Sequence, residues 1–479
     1  MRGAFKGLCA GAHATIMISY REAVTYLDSF INYEKKSAFS YKRSLKLARV
    51  REFLRSIGDP QKSFISMHVA GTKGKGSTCA FAAYILRCAG LRAGLYTSPH
   101  LSDVRERIRV LAPGRAGQAK RDFEGMISQE KLAALVGQLK PAIDAYCRSS
   151  SLGPLSFFEV YTALAFVYFK EARVDVAVLE TGLGGRLDAT NVVSPGICGI
   201  TPVSFDHMDK LGATLKEIAQ EKAGIIKSRQ SHVTSHPLIV VSAPQRPSVR
   251  AVLRTRCARE HAGLYEVGKD IRIHSVRQEN DGQRFSLSSP FGDFDDLRIR
   301  LLGKHQAVNA AVAIGLVAGL AGQRQLPLDA RQVRAGLFRT FWPARFEVVK
   351  RAPEIIIDAA HNVASARVLR AALKERFGGK KTVLVTGISK DKDIRGICRI
   401  LFPSARAVII TRANNPRAEE PGRIRDLAQG IIPAGRISCA PSVPQALEAA
   451  VKGAGTAGAV IVAGSVFLAA EARACLRRR

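Results

Sequence analysis

Short apolar runs alternate with helical stretches in two separate parts of this chain. The runs that we predict as buried strands span residues 64–69, 174–179 and 196–200 in the first part and 354–358, 382–386, 407–411 and 459–463 in the second. Strands separated by helices are typical of mostly parallel sheets, which are covered on both faces. The pattern therefore predicts an α/β protein with a large, mostly parallel sheet domain and a smaller Rossmann-like α/β domain at its C-terminal end.

The boundary between the two series falls at residues 341–345, Phe-Trp-Pro-Ala-Arg, which interrupt both patterns. At roughly 150 residues per domain, a chain of 479 residues is long enough for two to three domains. We predict a first domain over residues 19–340, a hinge at 341–346 and a second domain over 347–479. Residues 1–18 lack the unbroken apolar core of a signal peptide and are predicted to form a disordered extension.

Two regions between the strand series have patterns of their own. Residues 227–300 are polar and partly alternating, which predicts a small antiparallel annex, and residues 306–320 form a strongly apolar helix. The uncharged stretches 305–323 and 453–470 approach the length of a membrane span but are rich in Gly and Ala. We interpret both as buried helices or strand-turn-helix units and expect no membrane partner.

The charge balance is strongly basic, because 73 Lys and Arg against 40 Asp and Glu give a formal net charge of +33. Such a chain attracts polyanions: nucleic acid, an anionic membrane, or phosphorylated and carboxylated small molecules. Aromatic residues make up only 7% and the basic residues are spread along the chain, which argues against a nucleic-acid-binding ATPase that stacks bases on aromatic rings. Nine cysteines without a CxxC pair indicate reduced thiols in a cytosolic protein without a zinc site.

A glycine loop, Gly-Thr-Lys-Gly-Lys-Gly-Ser at residues 71–77, lies between the first predicted strand and a helical run. Glycines let backbone N–H groups approach phosphate oxygens, a helix N-terminus favours anions, and Lys75 supplies positive charge. The spacing departs from GxxxxGK[ST], because only two residues separate Gly71 from Gly74 and Gly76 lies between Lys75 and Ser77. A basic glycine turn is the alternative, but the flanking strand and helix favour a phosphate loop.

Three further polar residues are candidates for the same site. Glu180 ends an apolar strand, at the sheet edge where α/β proteins bind ligands, and a carboxylate there suits Mg²⁺; a helix-capping acid is the alternative. His207 follows another strand with Asp206 and Asp209 beside it, and these carboxylates make it a candidate metal ligand; a structural role, commoner for a lone histidine, is the alternative. Lys222 lies in an apolar, helix-ending run, and by itself it would be interpreted as a solvated charge.

Ten motifs, in order along the chain, resemble those of the folylpolyglutamate synthase family in the Mur ligase superfamily, whose members are often bifunctional with dihydrofolate synthase. The resemblance extends from about residue 20 to the C-terminus. Its motifs are GTKGKGST (71–78), YTSPHL (96–101), SFFE (156–159), LETGLGGRLDATN (179–191), SFDHMDKLG (204–212), EKAGIIK (221–227), GKHQAVN (303–309), WPAR (342–345), DAAHN (358–362) and DKD (391–393).

The resemblance implies an ATP site, two Mg²⁺ sites and a folate site. ATP would contact Gly71, Thr72, Lys73, Gly74, Lys75, Gly76, Ser77, Asn309, Arg345, Asp358 and His361. The Mg²⁺ ligands would be Ser98, Glu180, His207 and Lys222, of which Lys222 matches a lysine that becomes carbamylated. Lys75, His207 and Lys222 would carry the catalytic chemistry. Folate would contact Ser156, Phe157 and Glu159 together with Arg186, Leu187 and Asp188.

The reaction implied by the resemblance joins L-glutamate to the γ-carboxylate of tetrahydrofolate. ATP first converts this carboxylate to an acyl phosphate, and the α-amine of glutamate then displaces phosphate. Mg²⁺ and Lys75 would offset the repulsion between the two anions, and domain closure would exclude water. The resemblance also implies a cytoplasmic monomer. Dihydrofolate synthase, alone or as a second activity, is the alternative within the family, and a nucleic-acid-stimulated ATPase is a distant alternative.

Two positions depart from the pattern of the family that the chain resembles. Lys73 occupies a position where the family commonly has Asn, which adds positive charge near the expected phosphates. Ala344 occupies a position where the family usually has Gly, which removes backbone freedom at the predicted hinge.

Overall fold

Three β-sheets organise the part of the chain that the computed structural model describes, residues 16–34, 36, 39–114, 123–227, 237–279, 281–326, 328–378 and 381–477. The α-helices are α1 Tyr20–Asp28, α2 Tyr41–Ser44, α3 Leu47–Ser56, α4 Lys75–Cys88, α5 Gln129–Ser149, α6 Phe157–Glu171, α7 Met208–Leu211, α8 Leu215–Ala223, α9 Pro247–Arg259, α10 Lys304–Arg324, α11 Ala330–Arg339, α12 Val363–Phe377, α13 Ile394–Leu401, α14 Pro421–Leu427, α15 Val443–Ala454 and α16 Val466–Arg477. The strands are β1 Ile65–Ala70, β2 Ala93–Tyr96, β3 Ile108–Leu111, β4 Val176–Glu180, β5 Ile197–Ile200, β6 Ile239–Ser242, β7 Gly263–Glu266, β8 Arg272–Glu279, β9 Gly282–Ser288, β10 Phe294–Ile299, β11 Glu347–Arg351, β12 Glu354–Ile357, β13 Thr382–Thr386, β14 Ala407–Ile410, β15 Ile437–Cys439 and β16 Ala459–Ala463.

The large sheet has the order β3-β2-β4-β1-β5-β6-β7, and every pair is parallel except β2 with β3. Its strands are apolar on both faces because helices cover both faces. In β4, Val176 and Val178 pack in the cluster that contains α4 and α10, whereas Ala177 and Leu179 pack in the cluster that contains α5 and α6. This burial confirms the α/β prediction and leaves Glu180 as the polar end of an otherwise apolar strand.

The region predicted as an antiparallel annex is only partly antiparallel. Strands β6 and β7, with α9 between them, extend the large sheet in parallel. Only β8, β9 and β10 form a separate antiparallel sheet, which we call the small sheet. The prediction was wrong for residues 239–266, where a short apolar strand and an Arg-rich helix repeat the strand-helix alternation inside a mostly polar stretch.

The C-terminal sheet has the order β11-β12-β16-β13-β14-β15 and is parallel except at the β11·β12 pair. It contains the four predicted strands and two edge strands, β11 and β15, that the sequence patterns did not indicate. Helices α12 to α14 pack on one face and α15 and α16 on the other. Strand β16 returns between β12 and β13, which creates the kind of switch in connection direction beside which α/β sheets bind ligands.

The long apolar helix α10 is an internal element of the fold. Within the described residues it has the length and hydropathy of a possible membrane span, but 83% of its apolar window is buried inside the protein. It packs against α4 and the large sheet. The predicted N-terminal extension lies mostly outside the described residues, since description begins at Ile16.

Candidate active site

The glycine loop of residues 71–77 follows β1, and its last three residues form the first turn of α4, which begins earlier than the sequence predicts. Gly74 has a φ of +84°, and a Cβ there would lie 2.2 Å from Asn309 Oδ1. Gly71 has a φ of +146°, and its Cβ would lie 1.9 Å from the Thr201 hydroxyl. Both positions therefore require glycine, and Asn309 of α10 lies directly against the loop.

The loop opens on the N-terminus of α4, where the first N–H groups have no acceptor within the helix. The preceding N–H groups of Thr72 and Lys73 donate to Pro202 O at 3.0 and 3.3 Å, so the neighbouring strand end holds the loop in place. Donors at a helix N-terminus together with lysine side chains form a site that suits phosphate. The geometry fits the predicted phosphate loop.

Glu180 lies beside this loop at the carboxyl end of β4 and is 5% exposed. Its carboxylate lies 3.8 Å from Lys75 Nζ and accepts a hydrogen bond from the backbone N–H of Ser98 at 3.2 Å. Burial raises the pKa of Glu180, while Lys75 acts in the opposite direction. The structure therefore brings Lys75, Ser98 and Glu180 together, and Glu180 caps no helix.

Lys222, the third residue of the predicted catalytic set, is 5% exposed at the end of α8. Its Nζ donates to Gly71 O at 2.9 Å, so it lies directly under the phosphate loop. Burial and the nearby Lys75 lower the pKa of Lys222 to about 7. A lysine in this position is neutral far more often than a surface lysine, which contradicts its interpretation as a solvated charge.

The predicted Mg²⁺ site depends on the donor atoms that surround the phosphate loop. Within the described ranges, no group of three or more His, Cys, Asp or Glu side chains could hold a metal ion. Ser98 and Glu180 offer oxygen donors, which Mg²⁺ prefers, and Mg²⁺ commonly completes its shell with phosphate and water. His207 lies on the other side of the loop, with Nε2 4.0 Å from Asp206 Oδ1 and a side chain 43% exposed. The oxygen donors fit Mg²⁺ held jointly with a nucleotide.

The C-terminal sheet presents its own polar residues at the ends of β11 and β12. Asp358 follows β12 and accepts hydrogen bonds from the N–H groups of Phe346 and Ala360, each at 2.8 Å. His361 Nδ1 donates to Ala359 O at 2.9 Å, and burial lowers the pKa of His361 to about 4. The imidazole is therefore neutral at physiological pH, with Nε2 as an acceptor.

Arg345 lies within electrostatic range of both Asp358 and Glu180: burial raises the pKa of each carboxyl group, and the charge of Arg345 opposes this rise. It is held between two residues with left-handed backbone, Ala344 at φ +53° and Phe346 at φ +50°. An L-residue in this conformation costs about 1 kcal/mol relative to Gly. This conformation explains why glycine is common at position 344 in the family that the chain resembles.

The residues predicted to contact folate divide into two groups. Ser156 and Glu159 form the capping box of α6, Glu159 also pairs with Arg49 at 2.7 Å, and the adjacent Phe157 is buried. These contacts give Ser156 and Glu159 structural roles.

The second predicted folate group belongs to the loop after β4. Arg186 pairs with Glu221 at 2.7 Å, and Leu187 packs against an apolar cluster. The buried Asp188 carboxylate accepts from Leu183 N at 2.9 Å and from the Thr190 hydroxyl at 2.5 Å. The two groups lie on different elements, and Asp188 shapes the loop after β4.

One polar cluster near the site was missed by the sequence analysis. Arg107 is 1% exposed, pairs with both carboxylate oxygens of Glu34 at 2.8 and 2.6 Å, and donates to His100 Nδ1 at 2.9 Å. Arg417 of the C-terminal region donates to Glu34 O at 3.2 Å. Nothing in the sequence around Arg107 indicates these distant partners.

Comparison with known proteins identifies the family to which the chain belongs. Residues 156–317 match the Mur ligase middle domain, and residues 344–466 match the Mur ligase glutamate ligase domain. A Bacillus subtilis protein named dihydrofolate synthase/folylpolyglutamate synthase is 35% identical over 374 residues, which are 78% of this chain and 82% of that protein. The chain belongs to the folylpolyglutamate synthase family of Mur ligases. The predicted resemblance is confirmed, and the protein is a ligase.

Solved structures of the folylpolyglutamate synthase family share the whole fold. A Mycobacterium tuberculosis folylpolyglutamate synthase complexed with ADP is 32% identical, with a TM-score of 0.84 over 96% of this chain and 98% of its own. A folylpolyglutamate synthase complexed with AMPPCP and folate is 29% identical, with a TM-score of 0.78 over 95% of this chain and 99% of its own. The family thus includes proteins that bind adenine nucleotides and folate.

Proposed function

We propose that this chain uses ATP to add L-glutamate to the γ-carboxylate of tetrahydrofolate, forming folylpolyglutamates. The observation that carries the proposal is the meeting of two sets of groups: the phosphate loop with Lys75 and Glu180, and Arg345 with Asp358 from the C-terminal region. Family membership and the complexes of relatives with AMPPCP and folate support the same conclusion. The phosphate loop with Lys75 and Glu180 binds the phosphates. Arg345 and Asp358 lie where a nucleotide would bridge the large sheet and the C-terminal sheet.

In the proposed mechanism, an oxygen of the folate γ-carboxylate attacks the γ-phosphorus of ATP and ADP leaves. The backbone donors of the loop and Lys75 bind the phosphates, and Arg345 stabilises charge on the transferred group. The α-amine of glutamate then attacks the acyl carbon, and phosphate departs with the former carboxylate oxygen. Mg²⁺, held by Ser98, Glu180 and His207, would supply charge neutralisation when bound.

The other proposed nucleotide contacts fit the same arrangement. Asn309 touches the loop at Gly74, Asp358 is fixed by two backbone N–H groups, and His361 stays neutral. A fixed carboxylate and a neutral imidazole suit the hydroxyl and base groups of a nucleoside rather than its phosphates.

Carbamylation of Lys222 is part of the proposal. A neutral amine attacks CO₂ and releases a proton, and the resulting carbamate would offer anionic oxygens to a second Mg²⁺. The buried Nζ, with its pKa lowered to about 7, is nucleophilic near neutral pH. Lys75 lies close enough to influence it, so an anion at Lys222 would also be stabilised by that cation.

Dihydrofolate synthase is proposed as a second activity, because the Bacillus subtilis relative carries both names. The nucleic-acid-stimulated ATPase has no such support.

We also propose a cytoplasmic monomer, with a domain boundary at residues 341–346. We also propose that two segments bind folate, through Ser156, Phe157, Glu159, Arg186, Leu187 and Asp188. Of these residues, Glu159 and Asp188 act through the shape of their segments.

The experiment that tests the function supplies purified protein with ATP, Mg²⁺, labelled glutamate and either tetrahydrofolate or dihydropteroate. We expect labelled product with tetrahydrofolate and stoichiometric ADP. Product from dihydropteroate would add the second activity. Absence of product from tetrahydrofolate would overturn the first assignment, and ATP turnover stimulated by RNA or DNA but not by folate would restore the distant alternative.

A further inference from the structure

Lys73 of the phosphate loop makes a direct contact with the C-terminal region. Its Nζ donates to Asn362 Oδ1 at 2.5 Å, and Asn362 Nδ2 donates to Asp206 Oδ2 at 3.3 Å. Asp206 follows β5 in the large sheet, whereas Asn362 follows β12 in the C-terminal sheet. These three residues, which we call the clasp, join two strand ends of the large sheet to one strand end of the C-terminal sheet.

Asn362 is held rigidly before it contacts Lys73. It is the N-cap of α12, where its Oδ1 accepts from the N–H of Ser365 at 2.9 Å and its own N–H donates to Ser365 Oγ at 3.1 Å. This reciprocal cap fixes the side-chain torsions of Asn362. The amide is therefore a fixed acceptor at the point where α12 meets the phosphate loop.

Lys73 is a cation surrounded by charges from both regions. Asp206 and Asp358 favour its charged form, whereas Arg345 and Lys75 oppose it, and burial lowers its pKa to about 8. A flexible lysine in such mixed surroundings has several competing partners. The neutral amide of Asn362 holds the ammonium group of Lys73 in one defined direction.

We propose that Asn362 is a positioning residue, which aims the ammonium group of Lys73 at the phosphates when the C-terminal region docks on the phosphate loop. Phosphoryl transfer then depends on the clasp as well as on nucleotide binding. The inference rests on the proposed ligase function. A misplaced cation would slow the chemical step while leaving the loop able to bind ADP, because the backbone donors and Lys75 are unchanged.

The alternative is that Asn362 only caps α12, and the variant Asn362→Ser separates the two roles. Serine is as good an N-cap as asparagine but is too short to reach Lys73 or Asp206. We expect kcat for folate-dependent ADP release to fall roughly 10- to 100-fold, the cost of a misplaced catalytic group. The melting temperature and the ADP dissociation constant should stay close to wild type.

ADP binding is measurable by the intrinsic fluorescence of Trp342, the single tryptophan of the chain. A Cβ on Gly76 would lie 2.9 Å from its ring, so Trp342 touches the phosphate loop directly. The matched control is Asp329→Ser at the exposed N-cap of α11, which has the same type of capping box. This control should leave kcat, ADP binding and stability unchanged.

Two further variants keep the proposal falsifiable if Asn362→Ser is unstable. Asn362→Asp combined with Asp206→Asn exchanges the amide and the carboxylate, which keeps the cap, the acceptor for Lys73 and the hydrogen bond between the two side chains. This exchanged pair should retain more of kcat than the serine variant. Lys73→Met should lower kcat, and adding Asn362→Ser should lower it little further, because both changes break one contact.

Wild-type kcat in Asn362→Ser, or losses that multiply in the double variant, would overturn the proposal. Equal kcat in Asn362→Ser and in the exchanged pair of Asn362→Asp with Asp206→Asn would also overturn it. Failure of the proposed function is distinguishable, since wild-type protein would then release no ADP in response to folate and glutamate.

Discussion

At the scale of single residues, His68 in β1 is a titratable group that is fully buried. Its Nε2 lies 2.8 Å from the Thr190 hydroxyl, which donates onward to Asp188, so Nε2 carries the proton. Within the described residues Nδ1 has no hydrogen-bond partner. Burial, aided by the charge of Lys227, lowers the pKa of His68 to about 3.

This shift predicts a pH dependence of stability. Because an unfolded histidine has a pKa of about 6.5, the unfolded state binds more protons than the folded state below that pH. The free energy of unfolding should therefore fall as pH drops from 6.5 toward 3, by about 1.4 kcal/mol per pH unit from this group. Denaturant unfolding of wild type and His68→Gln at pH 7 and pH 5 measures it, with the larger loss expected in wild type. Equal losses would show that His68 is not responsible.

At the scale of elements, α4 offers a matched pair of glycines for testing the phosphate loop. Gly74 precedes the helix at φ +84° and Gly90 follows it at φ +86°. A Cβ on Gly90 would meet nothing within 4 Å, whereas one on Gly74 would meet Asn309. Both alanine variants should lose about 1 kcal/mol of stability to backbone strain.

Only Gly74→Ala should also weaken ADP binding, by at least roughly tenfold, since the loop must move to admit the methyl group. Titration followed by Trp342 fluorescence, with melting temperatures for both variants, provides the comparison. If Gly90→Ala weakened ADP binding as much as Gly74→Ala, the effect would reflect general strain and not the shape of the loop.

The elements also show what the sequence could predict. Buried strands such as β4 and β13 were predictable because helices cover both faces and each strand contains an unbroken apolar run. The edge strands β11 and β15 were not, because Glu347–Arg351 and Ile437–Cys439 are partly exposed and carry little apolar pattern. Strands β6 and β7 were missed inside a polar region for a similar reason.

The candidate site divides in the same way. Glycines, Lys75 and Glu180 were predictable because each lies at a strand end, where local sequence fixes position. The contact of Lys73 with Asn362 spans 289 positions, and that of Arg107 with Glu34 spans 73. Pairings of this kind depend on how the sheets pack, and single-sequence patterns carry no record of that packing.

At the scale of the whole molecule, the net charge of +33 gains a function from the proposed substrates. ATP and a folate with several glutamates are both polyanions, and a positive field raises their rate of capture. We predict that kcat/KM for a folate polyglutamate falls several-fold as ionic strength rises from about 0.05 M to about 0.5 M, because salt screens the field.

The same assay with a folate monoglutamate is the control, and its dependence on salt should be weaker. A flat profile for the polyglutamate would mean that the basic surface plays no part in substrate capture. The few basic groups of the site itself are too close to the substrate to be screened strongly.

In the proposed reaction ATP activates a folate carboxylate before glutamate attacks it, and transfer of a carboxylate oxygen to phosphate is the decisive test. Tetrahydrofolate labelled with ¹⁸O in its γ-carboxylate is incubated with the protein, ATP, Mg²⁺ and L-glutamate, and the released phosphate is analysed by mass spectrometry. We expect one ¹⁸O atom in each phosphate formed with an amide bond. Amide formation with unlabelled phosphate, or phosphate release that does not require folate, would contradict it.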